Sequence, residues 1–136
     1  MRIATLLFTL AIATLSVPEE APAQDLDAQL YELRIYHTNP GLLDNLHRRF
    51  RDHTNHLFVK HGMKLVAYWT PADEENKLIY VLAFENPEQR DKAWKAFGED
   101  PEWQKAFQAS KDEAGGPIVD KIESTLMFAT DYSPIR

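Results

Sequence analysis

Two neighbouring segments of the chain alternate as β-strands do, yet both of their faces are apolar or aromatic. They are Met63–Thr70 and Lys77–Glu85; in the second, one face carries Leu78, Tyr80, Leu82 and Phe84 and the other carries Ile79, Val81 and Ala83. A strand that is apolar on both faces is covered on both faces. A chain of 136 residues supplies one layer of helices for one side of a sheet, so a second copy is the economical cover for the other side. The pattern therefore predicts a homodimer.

Two further strands and two helical segments complete the pattern. Leu30–His37 and Ile118–Thr130 alternate with a period of two. Pro40–Gly62 repeats apolar residues at the spacing of one helical face. A second helix runs from Asn86 to Phe97, and a short one restarts at Asp100 with a proline in its first turn. The order β-α-β-β-α-β predicts a ferredoxin-like α+β fold, in which an antiparallel sheet carries both helices on one face.

Residues 1–23 have the composition of a secretory signal peptide. Met1–Arg2 is a short positive region, Ile3–Val17 is an apolar run, and Ala21-Pro22-Ala23 supplies the small residues of a cleavage site before Gln24. The apolar run is short for a membrane span, which needs about 20 residues, although an uncleaved anchor is the alternative. We expect cleavage and export to the periplasm or the medium. Residues 24–136 would then form a single domain without a membrane span.

Charge and cysteine content exclude several classes of site. The net charge is −6, from 15 basic and 21 acidic side chains, whereas a nucleic-acid binder needs a basic surface. Arg48, Arg49 and Arg51 are flanked by Asp44 and Asp52, so we interpret them as a solvated helix face. The chain has no cysteine, which excludes disulfides, thiolate catalysis and cysteine-ligated zinc. It also lacks a glycine-rich nucleotide motif and a nucleophile elbow.

Six segments, in this order along the chain, resemble the NIPSNAP family. They are YELRIY (31–36), the PG…RRFRDHT…F…HG stretch (40–62), VAYWT (66–70), LIYVLAFENPEQRDKAW (78–94), FGEDPEWQ (97–104) and IESTLM (122–127). The resemblance implies a dimeric α+β barrel, in which two ferredoxin-like protomers pack their sheets together. The wider superfamily includes cofactor-independent monooxygenases, haem-degrading enzymes and haem peroxidases, which often place a pocket between sheet and helices. The family itself has no settled activity, so the resemblance implies a fold rather than a reaction.

His53 is the candidate for chemistry, because four of the five histidines lie in Pro40–Gly62. On a helical projection it lies at the edge of the apolar face, one turn from Phe50 and Leu57. There it could act as a general base, a pocket ligand or an axial haem ligand. We favour a boundary histidine that is hydrogen-bonded to the backbone or to a neighbouring acid. His53 and His56 lack the glutamate of a zinc-binding helix, so we expect no metal site.

Other side chains are candidates for a pocket wall or for a dimer interface. Those that could line a pocket between sheet and helices are His53, Phe50, Tyr68, Tyr80, Trp94 and Trp103, although aromatic residues at such positions more often form core. Glu32, Arg34 and Tyr36 share one strand face, which Glu123 of the last strand could join. In a dimeric barrel we expect this face to look toward the partner and to form an interface salt-bridge network rather than a ligand site.

Three functions fit the sequence. We favour an exported, homodimeric protein that binds a small apolar or aromatic ligand without a cofactor. The second is an enzyme of the same barrel class, either a cofactor-independent monooxygenase or a haem-handling enzyme, with His53 and either Tyr68 or Tyr80 in proton transfer or ligation. The third is a protein-interaction module. A cavity of roughly 300 Å³ or more between helix and sheet, with His53 pointing into it, would favour the first two.

Overall fold

Four strands form one antiparallel sheet in the computed structural model, which describes residues 29–135. The predicted signal peptide, residues 1–23, lies outside the described residues. The strands are β1 (Leu30–Thr38), β2 (Lys64–Trp69), β3 (Lys77–Phe84) and β4 (Val119–Phe128). Their order across the sheet is β2-β3-β1-β4. This is the order of a ferredoxin-like sheet, so the predicted α+β fold is confirmed.

The segment between β1 and β2 is not one continuous α-helix. It consists of α1 (Leu43–Arg49), five π-helical residues (Phe50–Thr54) and α2 (Asn55–Lys60). We call the middle piece the π turn. In it, the Thr54 hydroxyl donates a hydrogen bond to the carbonyl oxygen of Arg49, five residues earlier, at 3.2 Å. The predicted helix is therefore correct in position, but it contains a wider turn of the kind that is frequent at functional sites.

Two further helices, α3 (Pro87–Glu99) and α4 (Pro101–Ala114), precede β4. Each begins with a proline in its first turn and a side-chain cap. The Asn86 side chain accepts from the backbone amide three residues on at 2.8 Å, and Asp100 does the same two residues on at 2.8 Å. Helix α4 is longer than the short helix that the sequence predicted to restart at Asp100. It ends at Ala114, and Gly115, with a left-handed φ of 76°, follows as its cap.

The helices pack on one face of the sheet, and no helix within residues 29–135 covers the other face. The core between sheet and helices contains aromatic and aliphatic side chains from both layers, including Leu30, Tyr36, Tyr80 and Phe84 from strands and Leu46, Phe50, Phe58 and Phe97 from helices. Strand pairing places six apolar or aromatic side chains on the opposite side, namely Tyr31, Leu33, Ile35, Ile79, Val81 and Ala83, none of which belongs to that core. We call this side the open face. No helix within residues 29–135 is both long and apolar enough to span a bilayer.

Candidate functional site

A cavity of about 400 Å³ lies between the π turn, α4 and the first half of β4. Much of its wall is aromatic, formed by Tyr36, Phe50, Phe58, Phe97, Trp103 and Phe107. The rings hold one another in place, with centroids 4.4 Å apart for Phe97 and Trp103 and 5.4 Å apart for Trp103 and Phe107. We call this space the α4 cavity. Its volume is within the range of roughly 300–1,000 Å³ that is usual for small-molecule sites.

Arg49 places a positive charge on the wall of the α4 cavity. The residue is 4% exposed, and its guanidinium carbon lies 5.5 Å from the ring centroid of Trp103 and 5.2 Å from that of Phe107. Nη1 donates to the Ser110 hydroxyl at 3.3 Å, whereas the buried Nε has no hydrogen-bond partner in the described part of the chain. Burial lowers the pKa of the guanidinium. Within residues 29–135 no acidic side chain forms an ion pair with it, although buried charges normally have such partners.

The π turn explains why Arg49 lies in this wall. Arg49 and Thr54 are five residues apart, and in a regular α-helix their side chains would point about 140° away from each other. The wider turn brings both of them, together with Phe50, to the cavity. The sequence analysis placed Arg49 on a solvated face with its arginine neighbours, and the structure corrects this. Its spacing of three from buried Leu46 was the available signal.

The aromatic residues predicted to line one pocket are divided among three locations. Phe50 and Trp103 line the α4 cavity. Tyr68 packs against the other side of Phe50, with ring centroids 5.9 Å apart, and lines a more open depression of about 450 Å³ beside β2. Tyr80 is completely buried in the core. Trp94 packs on Phe58 and Phe97 without lining the cavity.

His53 is exposed and does not line the α4 cavity. It lies in a small depression of about 90 Å³ that is lined by Arg48, Arg49 and Asp52 and by the neighbouring side of α4. This contradicts the predicted placement, because the π turn puts Thr54 where a regular helix would direct His53.

Other histidines contact acids: His56 Nε2 lies 2.9 Å from Glu102, and His61 Nε2 lies 2.7 Å from Asp100. No group of three or more His, Asp or Glu side chains in the described part of the chain is arranged to hold a metal ion.

Neither tyrosine proposed for proton transfer lies in the α4 cavity. Burial raises the pKa of Tyr68, and burial likewise raises the pKa of Tyr80 well above its usual value. Both phenols therefore stay protonated at neutral pH and cannot serve as bases there. Together with the position of His53, this means that the structure does not assemble the predicted acid–base set at one place.

Glu32, predicted to lie at a dimer interface, is buried beneath α3 and is completely inaccessible to solvent. Its carboxylate accepts hydrogen bonds from Arg90 at 2.8 and 2.9 Å, from Arg34 at 2.8 Å, and from Trp94 and Ser124 at 2.7 Å each. Burial alone would raise the pKa of Glu32, but these hydrogen bonds outweigh it and lower the pKa to about 2.

The predicted charge network therefore exists, but Glu32, Arg34 and Tyr36 lie on the helix face of the sheet rather than on the open face. The sequence analysis expected the Glu32 face of β1 to look toward a partner, which would leave the opposite face, with Tyr31, Leu33 and Ile35, to pack against the helices. The structure does the reverse, because Arg90 and Trp94 of α3 satisfy the Glu32 carboxylate inside the core. Glu123, the fourth candidate, is on the open face, where it pairs with His37 at 2.6 Å and is 45% exposed.

Comparison with known proteins places this fold among those of one family. The NIPSNAP family model matches residues 31–134. A NIPSNAP family protein of unknown function from Agrobacterium tumefaciens superposes with a TM-score of 0.70 at 20% identity, covering 81% of this chain and 96% of that one. An uncharacterized NIPSNAP-like domain protein from Burkholderia xenovorans gives 0.69 at 18% identity, covering 79% and 90%.

A third solved structure comes from an enzyme. SnoaB, a cofactor-independent oxygenase from Streptomyces nogalater, superposes with a TM-score of 0.54 at 12% identity, covering 79% of this chain and 98% of that one. No curated protein matches the chain. At these identities the solved structures share the fold with this chain, and the fold alone does not specify a reaction.

Proposed function

The chain belongs to the NIPSNAP family, and we propose that it is an exported homodimer that binds a small, largely apolar or aromatic ligand in the α4 cavity. The observation that carries the proposal is the cavity itself, a space of about 400 Å³ with aromatic walls. An apolar molecule that leaves water for such a space gains about 25 cal/mol per Å² of buried apolar surface. Walls of packed rings hold the space open before a ligand arrives.

Binding accounts for the site better than turnover does. An oxygenase without a cofactor needs a group that accepts a proton from the substrate, within hydrogen-bond reach of it. His53 is outside the α4 cavity, as are Tyr68 and Tyr80, and the carboxylate in the lining, Asp120, is exposed to solvent rather than enclosed with a substrate. The groups that do line it are aromatic rings, aliphatic side chains and a few polar or charged side chains, a composition typical of binding sites.

Ligand binding can be tested with N-phenyl-1-naphthylamine, a neutral probe that fluoresces in apolar surroundings. We expect saturable binding to the protein and loss of that binding in Ile122→Trp, because the larger side chain fills the cavity mouth. Leu126→Trp is the matched control: Leu126 lies four residues along β4 on the same face, is 51% exposed against 48% for Ile122, and does not line the cavity. No binding by the wild type, or equal weakening by both variants, would contradict the assignment.

The proposed dimer rests on the open face. Leu33, Ile35, Ile79 and Val81 form a continuous apolar patch across two paired strands, and Trp69 beside Ile79 is 52% exposed. A patch of this kind on a sheet face is typical of a protein interface. We expect light scattering at micromolar concentration to give twice the monomer mass, and Ile79→Glu to halve it. Leu126→Glu, off the open face, should leave the mass unchanged, and a monomeric wild type would refute the dimer.

A further inference from the structure

Arg49 is a buried cation for which the described residues provide no carboxylate. We infer that the ligand of the α4 cavity carries a carboxylate, which Arg49 binds while the apolar body of the ligand packs among the aromatic rings. The inference rests on the proposed function and narrows it from apolar molecules in general to apolar or aromatic monocarboxylates. Three features of the structure support it: the surroundings of Arg49, a second buried arginine in the same protein, and the donors that Arg49 leaves unused.

On the side of the α4 cavity the surroundings of Arg49 are mainly positive and apolar, whereas Asp52 and Glu113 lie in the depression on its other side and neither pairs with it within residues 29–135. Lys111 also lines the cavity, with Nζ 5.4 Å from the ring centroid of Phe107. Asp120, at the start of β4, is the acidic residue in the lining, and it is exposed and forms no ion pair with either cation within residues 29–135. An isolated charge that is removed from water is destabilising unless it is paired. A negatively charged ligand would supply the missing partner.

Arg34 shows how this protein buries a guanidinium group when the partner is built in. Its guanidinium carbon lies 4.4 Å from the Trp94 ring centroid, and Nη1 contacts the Glu32 carboxylate at 2.8 Å. Arg49 has the corresponding aromatic contacts, with Trp103 and Phe107. The Nε atoms of both arginines are buried without a partner among residues 29–135, so the difference between them is the carboxylate, which Arg49 lacks within these residues. The ligand would therefore do for Arg49 what Glu32 does for Arg34.

The Nη atoms of Arg49 are the donors that a carboxylate could reach. Nε is inaccessible to solvent and has no partner among residues 29–135, whereas Nη1 makes only a long contact of 3.3 Å with the Ser110 hydroxyl. A guanidinium group offers parallel N–H donors that a carboxylate can accept in pairs. A planar or extended apolar body attached to the carboxylate can then lie against the cavity side of the rings of Phe97, Trp103 and Phe107.

The test compares two competitors of the same shape, 2-naphthoate and the neutral 2-naphthamide, for displacement of N-phenyl-1-naphthylamine. We expect the wild type to prefer 2-naphthoate by about tenfold or more, the usual effect of a hydrogen bond to a charged group. Arg49→Met should lose this preference while still binding the neutral probe, and Arg49→Lys should keep part of it. Arg48→Met is the control. Arg48 immediately precedes Arg49, but it is exposed and its side chain pairs with Glu113 at 2.7 Å.

The outcomes separate the two proposals. Equal displacement by both competitors, or a preference that persists in Arg49→Met, would overturn the carboxylate inference and leave the binding function intact. If the wild type does not bind the neutral probe, the proposal that the cavity binds apolar ligands in general is wrong. Calorimetric titration with 2-naphthoate then decides the inference: binding that Arg49→Lys retains and Arg49→Met loses supports it, and no binding overturns it. Should Arg49→Met not fold, Arg49→Gln replaces it.

Discussion

Replacing Glu32 with glutamine should remove a large part of the stability of this fold. The pKa of Glu32 is lowered from 4.5 to about 2 in the folded protein, and each pKa unit corresponds to about 1.4 kcal/mol. The charged form therefore adds roughly 3 kcal/mol to the free energy of unfolding at neutral pH. Glutamine has the size of the protonated acid but lacks the charge, so Glu32→Gln should lose about that amount, on the order of what breaking a buried ion pair costs.

The stability that Glu32 contributes should decrease as the pH falls. Because the pKa is lower in the folded state than in the unfolded chain, the contribution is complete above about pH 5 and disappears as the pH falls toward 2. The difference between wild type and Glu32→Gln should therefore be roughly 3 kcal/mol at pH 7 and close to zero near pH 2.

Urea denaturation followed by circular dichroism, at several pH values and one fixed protein concentration, measures this difference. Glu113→Gln makes the same chemical change on α4, where the carboxylate is 58% exposed, and should alter stability little. The reasoning would be refuted if Glu32→Gln were no more destabilising than Glu113→Gln, or if its effect did not diminish in acid.

Three further predictions concern the helix ends and the N-terminus. Asn86→Ala removes the cap of α3, so the free energy of unfolding should fall by about 1 kcal/mol in urea denaturation; an unchanged midpoint would contradict the role of the cap. Gly115→Ala forces a side chain into the left-handed region at φ 76° and should lower stability by about 1 kcal/mol in the same assay, whereas Gly98→Ala, inside α3, should not destabilise the protein. Mass spectrometry of the exported protein should give a chain that begins at Gln24, and a retained N-terminus would favour the uncleaved anchor.

The fold could be predicted from the sequence because its signals are local. The period-two strands, the Asn86-Pro87 and Asp100-Pro101 helix starts, and the glycine after α4 each specify a structure within a few residues. The two-sided apolar pattern of β2 and β3 also indicated an apolar second sheet face, which no helix within residues 29–135 covers. The partner that would cover it stays a prediction.

The site could be predicted only in part, because it depends on contacts between distant segments. Phe50 and Trp103 were identified as pocket residues, but Arg49 was not, because it was grouped with Arg48 and Arg51 on a solvated face although its spacing of three from Leu46 put it beside the apolar stripe. The orientation of Glu32 was also missed, because it is determined by Arg90 and Trp94 of α3 rather than by the alternation of β1. A sequence pattern places charged residues on the surface, but a charged side chain can be buried when it finds a partner on a distant segment of the fold.

The central claim is that the α4 cavity binds an apolar ligand, and a crystal structure of the protein with 6-bromo-2-naphthoate tests it most directly. The anomalous signal of bromine locates the ligand independently of its shape. The account predicts one bromine peak per protomer beside the rings of Phe97, Trp103 and Phe107, with the carboxylate within hydrogen-bond distance of Arg49. A bromine peak on the open face or in the depression beside Tyr68, with the α4 cavity empty, would contradict it.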